Sequence, residues 1–305
     1  MLIGGINMYD LIIIGAGPAG LTSAIYATRS NKSVLVLEAN TYGGQIVTTD
    51  KIDNYPATPH ISGYDFATSL YNQAIELGAE VKFEKAIDII NGEIKEVVTN
   101  KKAYQAKAVI VAIGVRNRKL NINGEEKFTG KGVSYCATCD GSFYKNKVVA
   151  VIGAGDTAFE EANYLSDICK KVYLIHRNET FKANPRLTKK VKNKDNVEFI
   201  LNTNVISING KDKVTDVDIR DNEDNISNLK VDGIFIAIGQ IPENNILTKD
   251  LKLDENGYIK SDDNLKTNID GIYVAGDIRP KSLRQLVTAT SDGAIAAVNA
   301  IKNIK

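Results

Sequence analysis

The sequence predicts an α/β protein made of two Rossmann-like domains, with the second domain inserted into the first. Three observations indicate this fold. The chain has 305 residues, which is enough for two domains. A pattern of strand, glycine turn, helix and strand occurs twice, and a strand that ends in Ala-Ile-Gly also occurs twice. Because the predicted strands are continuously apolar and alternate with helices, we expect parallel sheets that are covered on both faces.

The first copy of the pattern begins at the apolar run 10–14. A glycine turn follows, then a helical stretch to about residue 30 and a strand at 33–38; the turn is Gly15-Ala16-Gly17-Pro18-Ala19-Gly20. In such turns the first glycine allows the tight bend, the second lets the backbone approach a pyrophosphate, and the third keeps helix and strand close. The start of the helix offers unpaired N–H groups to phosphates. This copy is therefore predicted to bind a dinucleotide.

The second copy lies 138 residues further along the chain, which is the distance from Gly15 to Gly153. Its first strand is 147–152, its helix extends to about residue 168 and its second strand is 171–176; its turn is Gly153-Ala154-Gly155-Asp156-Thr157-Ala158. One glycine turn is a weak indication of a nucleotide site, but two complete copies are a strong one. The alternative is that both are tight turns without a ligand.

The end of each second strand indicates which dinucleotide is bound. Glu38 stands 23 residues after Gly15, near the spacing expected for an acid that hydrogen-bonds an adenosine ribose. Since a carboxylate there would repel a 2′-phosphate, the first site should hold FAD or NAD(H). The second copy has His176, Arg177 and Lys182 in this region, and cationic residues suit a 2′-phosphate. An ordinary solvated loop is the alternative for these cations.

The two Ala-Ile-Gly strands, at 109–114 and 233–239, would each close one dinucleotide-binding sheet. A further strand that leads into an acid, 271–277, follows near the C-terminus and is typical of a continuation of the first sheet. We therefore expect the first domain to resume after the second.

The redox chemistry is predicted to lie at Cys136 and Cys139. A Cys-x-x-Cys pair can close a small disulfide and, at the start of a helix, can lower the pKa of one thiol. A zinc knuckle is the alternative, but zinc sites usually need four ligands and the chain offers only Cys169, His60 and His176 besides the pair. We therefore expect no metal.

Asp140 directly follows the cysteine pair. A partly buried carboxyl group beside a sulfur can serve as an acid or base for the thiols. Helix N-capping is the alternative role, and the two roles can coexist. Cys169 is expected to be a small buried hydrophobic residue.

Composition and charge exclude several classes of function. Thirty-eight Lys and Arg against 37 Asp and Glu leave a net charge of +1, so no basic excess favours nucleic acid. The apolar run 11–14 is far shorter than the roughly 20 residues of a transmembrane helix, and we expect no membrane association. Residues 1–8 contain no Lys or Arg, unlike a secretory signal. Three cysteines make no disulfide scaffold, so we expect a reducing, cytoplasmic setting.

In their order and spacing these motifs resemble those of the low-molecular-weight thioredoxin reductases. The resemblance extends from about Tyr9 to the end of the chain; besides the two glycine turns it rests on Gly43-Gly44-Gln45, Cys136-Ala137-Thr138-Cys139-Asp140, His176-Arg177, and Gly276-Asp277 followed by Arg284-Gln285. It implies an FAD-containing, NADPH-dependent homodimer that reduces the disulfide of thioredoxin. It also implies an FAD-binding domain at 1–117 and 246–305, and an inserted NAD(P)H-binding domain at 118–245 that carries the redox cysteines.

The resemblance also assigns roles to residues. Cys139 would be the thiol nearest the isoalloxazine, Cys136 the thiol that attacks the partner disulfide, and Asp140 the proton donor. In the FAD domain the predicted cofactor-binding residues are Gly15, Gly17, Pro18, Ala19, Gly20, Glu38, Ala39, Gly43, Gly44, Gln45, Asn54, Ala86, Ala112, Gly114, Gly276, Asp277, Arg284 and Gln285. In the inserted domain they are Gly153, Gly155, Asp156, Thr157, Ala158, His176, Arg177, Lys182, Ile238 and Gly239.

The dithiol and the second glycine turn both lie in the inserted segment, so they would compete for one flavin face. This predicts a rotation of the inserted domain about hinges near residues 116–119 and 242–245, as the resemblance also implies.

The chain departs from the resemblance at the 2′-phosphate motif. NADPH-specific members usually have His-Arg-Arg with a further Arg four residues later, whereas this chain has Asn178 and Lys182 at the last two positions. NADH is therefore the alternative donor. The intact turn at 153–158 argues against the subgroup that takes electrons from ferredoxin. The sequence is also compatible with a flavoprotein disulfide reductase that serves a different redox protein, and with a non-catalytic flavin redox sensor.

Overall fold

The computed structural model describes residues 2–3, 6–49, 51–242 and 250–304. The chain divides into two compact units, and the second is an insertion in the first: Met1–Arg116 with Ile241–Lys305, and Asn117–Gln240. Which cofactor each unit binds stays a prediction at this point. Residues 243–245 of the predicted second hinge, and the predicted domain boundary at residue 246, lie outside the described residues.

Eighteen strands and six helices are defined in the described residues. The strands are β1 (Leu2–Ile3), β2 (Ile6–Ile14), β3 (Val34–Glu38), β4 (Glu80–Phe83), β5 (Ala86–Ile90), β6 (Lys95–Thr99), β7 (Ala103–Val111), β8 (Val115–Asn117), β9 (Val133–Ser134), β10 (Val148–Ile152), β11 (Lys171–Ile175), β12 (Val197–Ile200), β13 (Thr203–Gly210), β14 (Val214–Asp221), β15 (Ile226–Lys230), β16 (Gly233–Ile236), β17 (Gln240–Pro242) and β18 (Ile272–Val274). The helices are α1 (Pro18–Arg29), α2 (Gly63–Glu76), α3 (Ala137–Asp140), α4 (Asp156–Ser166), α5 (Pro185–Lys192) and α6 (Leu286–Asn303).

The first unit is built on a parallel sheet with the strand order β4-β3-β2-β7-β18. The end of β7 pairs with β18, whereas its start pairs with the antiparallel strand β6, which in turn pairs with β5. A strand at the edge, β1, pairs with the start of β2. The C-terminal strand β18 thus completes the first sheet, as the sequence predicted.

Both faces of the central strand β2 are buried. Leu11 and Ile13 pack in an apolar cluster with residues of α1 and α6, while Ile12 and Ile14 pack in a second cluster on the opposite face with residues of β5 to β7. Since successive residues of a strand point to opposite faces, a strand covered on both sides needs apolar residues at every position. This is why residues 11–14 of β2 are continuously apolar.

The second unit repeats this arrangement. Its parallel sheet has the order β12-β11-β10-β16-β9, and an antiparallel sheet of β13, β14 and β15 is built beside it. Val149 and Val151 of β10 pack with residues of α4, whereas Ala150 and Ile152 pack with residues of β13 and β14. The two segments that connect the units contain β8 and β17, which pair with each other.

The predicted α/β class with parallel Rossmann-like sheets is confirmed. The two copies of the sequence pattern are β2-α1-β3 and β10-α4-β11. Helix α4 ends at Ser166 with Asp167 as its C-cap, two residues before the predicted end. In the part of the chain that the structure describes, every helix is too short or too polar to cross a membrane.

Candidate active site

The first glycine turn connects β2 to α1 and is closed tightly against a neighbouring strand. Gly15 has φ +108°, and a Cβ atom there would lie 2.4 Å from the carbonyl oxygen of Ala112, so only glycine fits. A Cβ on Gly20 would lie 1.9 Å from the carbonyl oxygen of Gly15. By contrast, a Cβ on Gly17 would meet no protein atom within 4 Å. The turn is therefore closed on its protein side and open at its second glycine, where a pyrophosphate would approach.

Glu38 fastens the end of β3 to this turn. Its Oε2 accepts a hydrogen bond from the backbone N–H of Ala16 at 2.9 Å, and its Oε1 accepts one from the N–H of Asn40 at 2.9 Å. The side chain is only half-buried, and each carboxylate oxygen keeps a second lone pair. Glu38 can therefore accept ribose hydroxyl groups while it holds the turn. The neighbouring Ala39 is exposed.

Three polar residues of the predicted flavin site are held by contacts within the first unit. Gln45, in a 3-10 turn, donates from Nε2 to the carbonyl of Val115. Asn54 donates from Nδ2 to Oε1 of Gln285 at 3.0 Å, which joins residues 231 positions apart in the sequence. Gln285 is also the N-cap of α6, where it forms a capping box with Thr288.

Asp277 lies in a 3-10 turn, Gly276–Ile278, between β18 and α6. Its Oδ1 is buried and has no hydrogen-bond partner among the described residues; Nζ of Lys281 is 3.6 Å away. Burial raises the pKa of Asp277, and the charges of Lys281 and Arg284 oppose this shift. A buried acceptor without a donor is unfavourable in the protein alone, and a ligand hydroxyl would satisfy it. This feature fits the contact with a flavin cofactor that the resemblance predicts for Asp277.

The remaining predicted residues of the first unit lie in three places. Near the glycine turn lie Pro18, Ala19, Gly43, Gly44, Ala112, Gly114 and Gly276: the first two begin α1, and Gly43 donates to the carbonyl of Ala16. Arg284 donates from Nε to the carbonyl of Asp277 at 3.5 Å and lies over the ring of Tyr258, 4.4 Å from its centroid. Ala86 is different, because it lies in β5 and packs in the apolar cluster of the antiparallel strands. The structure thus shows Ala86 as a core residue and leaves its cofactor role an untested prediction.

The second glycine turn is closed at its first glycine and open at its second, as the first turn is. A Cβ on Gly153, which has φ +152°, would lie 2.4 Å from the carbonyl oxygen of Ala237. A Cβ on Gly155 would again meet no protein atom within 4 Å. Ala158 takes the place of the third glycine and is fully buried. Ile238 and Gly239 follow Ala237 directly, so the Ala-Ile-Gly segment borders the turn as it does in the first unit.

The rim of this turn carries both acids and cations. Asp156 begins α4 and accepts a hydrogen bond from the N–H of Asn184 at 2.6 Å; Thr157 beside it is exposed. Arg177 and Lys182 are exposed, and their charges, together with the larger effect of burial, lower the pKa of His176. Both cations therefore act on one imidazole at the end of β11.

Cys136 and Cys139 form a disulfide, with their Cα atoms 5.3 Å apart. The pair spans the short helix α3, of which Cys136 is the N-cap residue. The backbone N–H groups of Cys139 and Asp140 both point to the carbonyl of Cys136, at 3.3 and 3.1 Å. These contacts curl the chain and bring the two half-buried sulfurs together. A disulfide in so small a ring, near the surface, is suited to reversible reduction.

Ser134 links the turn to Asp140. Its hydroxyl group donates to Oδ2 of Asp140 at 2.6 Å and accepts from the N–H of Cys136 at 3.1 Å. The side chain of Asp140 makes no capping hydrogen bond to the 3-10 turn that follows it. The structure therefore does not support the N-cap alternative for Asp140.

The third cysteine lies apart from this chemistry. Cys169 packs in the apolar cluster around α4, and burial raises the pKa of its thiol to about 11. Within the described ranges, no three His, Cys, Asp or Glu side chains are grouped so that they could hold a metal ion.

Comparisons with known proteins agree with this geometry. The pyridine nucleotide-disulphide oxidoreductase family matches residues 9–293. A thioredoxin reductase of Listeria innocua is 42% identical over 302 residues, which cover 98% of this chain and 95% of that protein. The chain belongs to the thioredoxin reductase family. A thioredoxin reductase of Bacillus subtilis is likewise 42% identical over 296 residues, 95% of this chain and 93% of that protein.

The similarity extends to solved structures. The crystal structure of thioredoxin reductase from Streptococcus pyogenes MGAS5005 is 41% identical, covers 97% of each chain and superposes with a TM-score of 0.93. Thioredoxin reductases of this family are FAD-dependent and use NADPH. The two open glycine turns, the carboxylate of Glu38 at one and the cations at the other fit these two cofactors.

Sequence reasoning missed the residues that support Asp277. Asp292 of α6 is buried and accepts from the N–H of Gly276 at 3.0 Å, from Nε of Arg279 at 2.9 Å and from Nζ of Lys281 at 2.8 Å. These contacts hold the turn that carries Asp277. The signal in the sequence was an acid at position 292 on the same face of α6 as the apolar residues 289 and 296.

Sequence reasoning also missed Glu161. This residue of α4 is only 9% exposed, and its Oε1 accepts from the N–H of Ala137, between the two cysteines, at 3.2 Å. Its Oε2 is buried without a hydrogen-bond partner among the described residues. Burial raises the pKa of Glu161 to about 7, and the charge of Asp140 adds to the shift. In the sequence, Glu161 stands out as an acid that shares a helix face with the apolar residues 158, 162 and 165.

We expect Glu161 to make the protein less stable as the pH rises. Its pKa in the folded chain is about 7, above its ordinary value of 4.5. The contribution is therefore favourable below about pH 4.5 and is lost as the pH rises through 7. Glu161→Gln, which cannot ionise, should raise the free energy of unfolding by about 1–2 kcal/mol at pH 8, or about 2–6 °C in melting temperature.

Thermal melts of both proteins at pH 5 and pH 8 would measure this effect. The advantage of the variant should shrink at pH 5, where the carboxyl group of the native protein is protonated. An equal difference between the two proteins at both pH values would contradict the prediction.

Proposed function

We propose that the chain catalyses the reduction of thioredoxin by NADPH, with FAD as its bound cofactor. The observation that carries this proposal is the Cys136–Cys139 disulfide, held in a short polar turn with Asp140, in the unit that also contains the second glycine turn. The family membership supports the same reaction, since the related proteins of Listeria, Bacillus and Streptococcus are thioredoxin reductases.

FAD would be held by the first unit and NADPH by the second. Glu38 and the turn 15–20 would bind the adenosine and pyrophosphate of FAD, and Asp277 would accept a ribityl hydroxyl group. The turn 153–158, with Arg177 and Lys182 at its rim, would bind the pyrophosphate and 2′-phosphate of NADPH. The chemistry that the bound flavin supplies is the conversion of a hydride from NADPH into the electron pair that reduces a disulfide.

The chain's own residues carry out the second half of the reaction. In the reduced protein the thiolate of Cys136 attacks one sulfur of the thioredoxin disulfide and forms a mixed disulfide, which releases the other thioredoxin sulfur as a thiolate. Cys139 then attacks Cys136, restores the internal disulfide and releases reduced thioredoxin. Asp140, hydrogen-bonded to Ser134, is placed to donate a proton to a departing thiolate.

Two measurements test this function. Anaerobic addition of NADPH to the FAD-loaded protein should bleach the flavin absorbance, and NADPH-dependent reduction of Ellman's reagent should require added thioredoxin. A redox sensor, the alternative from another class of protein, would show no catalytic flux. A purified protein that neither holds nor accepts FAD would overturn the proposal.

NADPH is the proposed donor, and the donor preference depends on the end of β11. Asn178 is exposed beside Arg177, where an arginine would add a bidentate phosphate contact. We expect Asn178→Arg to raise the ratio of NADPH to NADH efficiency about five- to tenfold, as measured from kcat/KM with both donors. The control is Asn222→Arg, which adds the same charge in an exposed turn between β14 and β15. An unchanged ratio in Asn178→Arg would show that Arg177 and Lys182 are not placed to bind the 2′-phosphate.

The proposal includes a homodimer in the cytoplasm that interacts with thioredoxin and with neither membranes nor nucleic acid. Tyr26, Ile295 and Val298 form an exposed apolar patch on α1 and α6 of the first unit, which is compatible with a subunit contact. The net charge of +1 gives no electrostatic attraction to nucleic acid.

A further inference from the structure

Residues 136–140, which we call the redox turn, contact a buried acid, Glu161, that has no role in the proposed reaction. Oε1 of Glu161, in α4, accepts a hydrogen bond from the backbone N–H of Ala137, the residue directly after Cys136. No side chain of the turn itself caps this end of α3. The contact therefore joins the helix that follows the NADPH-binding turn to the peptide between the two cysteines.

The surroundings of Glu161 are apolar or negatively charged. On its own helix it lies among the buried residues Ala158, Ala162 and Leu165. Of the groups that the structure describes, those that act on it by charge are Asp140, from the redox turn, and Glu160, from α4, and both disfavour its ionisation. Tyr144, in the 3-10 turn after α3, stays neutral because burial raises its pKa to about 12. A negative charge on Glu161 is thus poorly compensated, and a further negative charge nearby would be unfavourable.

We propose that Glu161 is a positioning residue of the dithiol, which anchors the peptide between the cysteines through Ala137 and whose negative charge opposes thiolate formation on the reduced pair. This inference rests on the proposed function, because it concerns the cysteine pair that would reduce thioredoxin.

The effect of the Glu161 charge on the thiols follows from the chemistry of the redox turn. Reduction breaks the S–S bond, adds two electrons and, after two protons are taken from solvent, leaves two thiols in place of one disulfide. Loss of one proton then creates a thiolate within the same few residues as the Glu161 carboxylate. Two like charges so placed cannot ionise independently, so each raises the pKa of the other. Ionisation of the thiol and protonation of Glu161 are therefore linked.

The test uses the full-length FAD-containing protein, reduced with dithiothreitol, and needs neither NADPH nor thioredoxin. The rate of iodoacetamide alkylation is measured between pH 5.5 and 9, and mass spectrometry of the peptide that contains Cys136 and Cys139 excludes Cys169. Glu161→Gln keeps an oxygen for the N–H of Ala137 but removes the charge. We expect its alkylation profile to shift about 0.5–1 pH unit towards acid, which means roughly three- to tenfold faster alkylation near pH 7.

The matched control is Glu198→Gln, which removes one exposed, ion-paired acid from the same unit and should alkylate as the native protein does. A second variant, Glu161→Leu, removes the anchor as well. We expect the rate of thioredoxin reduction by Glu161→Leu to lie below that of Glu161→Gln at every pH. In the pH–rate profile of Glu161→Gln, the maximal rate should equal that of the native protein, and only the rise at acid pH should shift.

Coincident alkylation profiles for Glu161→Gln, Glu198→Gln and the native protein would overturn the inference, and so would a shift towards alkaline pH. Its failure is distinct from that of the proposed function. A protein that does not reduce thioredoxin can still show the alkylation shift, and an active reductase can lack it.

Discussion

Replacement of either Cys136 or Cys139 by serine is expected to abolish thioredoxin reduction. The proposed electron path from flavin to thioredoxin passes through their disulfide, and a hydroxyl group can neither form that bond nor attack as a thiolate. We expect kcat to fall roughly thousandfold or more in each variant. Steady-state oxidation of NADPH with thioredoxin as the acceptor measures this loss.

Flavin content should not change in these variants. The residues proposed to hold FAD lie in the first unit, whereas both cysteines lie in the second. Cys169→Ala is the matched control, because this cysteine is buried in the apolar cluster around α4 and makes no disulfide. It should retain turnover within about twofold. Turnover at the native rate in either serine variant would remove the dithiol from the mechanism.

The two variants also separate the roles of the cysteines. If Cys136 attacks thioredoxin and Cys139 resolves the product, then Cys139→Ser, once reduced, should form a stable mixed disulfide with oxidised thioredoxin, and Cys136→Ser should not. Both sulfurs are half-buried in the oxidised structure, so exposure alone does not decide between them. Non-reducing gel electrophoresis of each variant with thioredoxin gives the answer. Trapping by Cys136→Ser alone would reverse the assignment.

The parts of the fold that the sequence revealed are those with a strong local code. Continuous apolar runs marked β2 and β10, because a strand covered on both faces leaves no polar position. Gly15 and Gly153 marked the turns, because no other residue fits their backbone conformation beside a neighbouring carbonyl group. The repeat of Ala-Ile-Gly has the same physical reason, because Ala112 and Ala237 supply the carbonyl groups that lie against Gly15 and Gly153.

The parts that the sequence did not reveal depend on contacts between distant segments. Asn54 meets Gln285 across 231 positions, and the family resemblance named both residues without indicating that they touch. Asp292 supports Asp277 from another element, and Glu161 reaches a peptide 24 residues away. Asp292 and Glu161 are both acids on an apolar helix face. Helical periodicity identifies such a residue in the sequence, but it does not identify the group that the acid contacts. Partner choice for such groups is fixed only by the packed structure.

The second large effect is expected from alanine substitution of Gly17 and Gly155, at the open sides of the two glycine turns. Gly17 and Gly155 have extended backbone conformations, with φ −77° and −90°, which alanine also adopts. Since an added Cβ would meet no protein atom within 4 Å at either position, alanine should fold normally. The cost at these N-cap positions should not exceed about 1 kcal/mol. Any larger consequence must come from a ligand that occupies the space.

We therefore expect Gly17→Ala to weaken FAD binding about 10- to 100-fold, because the added methyl group stands where the pyrophosphate approaches. Gly155→Ala should leave FAD bound and raise the dissociation constant of NADPH by a similar factor. Each variant is the control for the other, since the same atom is added to equivalent turns in different units. Flavin fluorescence during dialysis measures the first effect, and anaerobic NADPH titration of the flavin absorbance measures the second.

The crossed outcome distinguishes the cofactor assignment from general damage. Loss of FAD in Gly155→Ala with full retention in Gly17→Ala would exchange the two cofactors between the units. Native binding of both cofactors in both variants would show that neither turn contacts a pyrophosphate, and the open space at the second glycine would then need another ligand. Because melting temperatures should stay within about 2–4 °C of the native protein, a failure to fold cannot imitate either result.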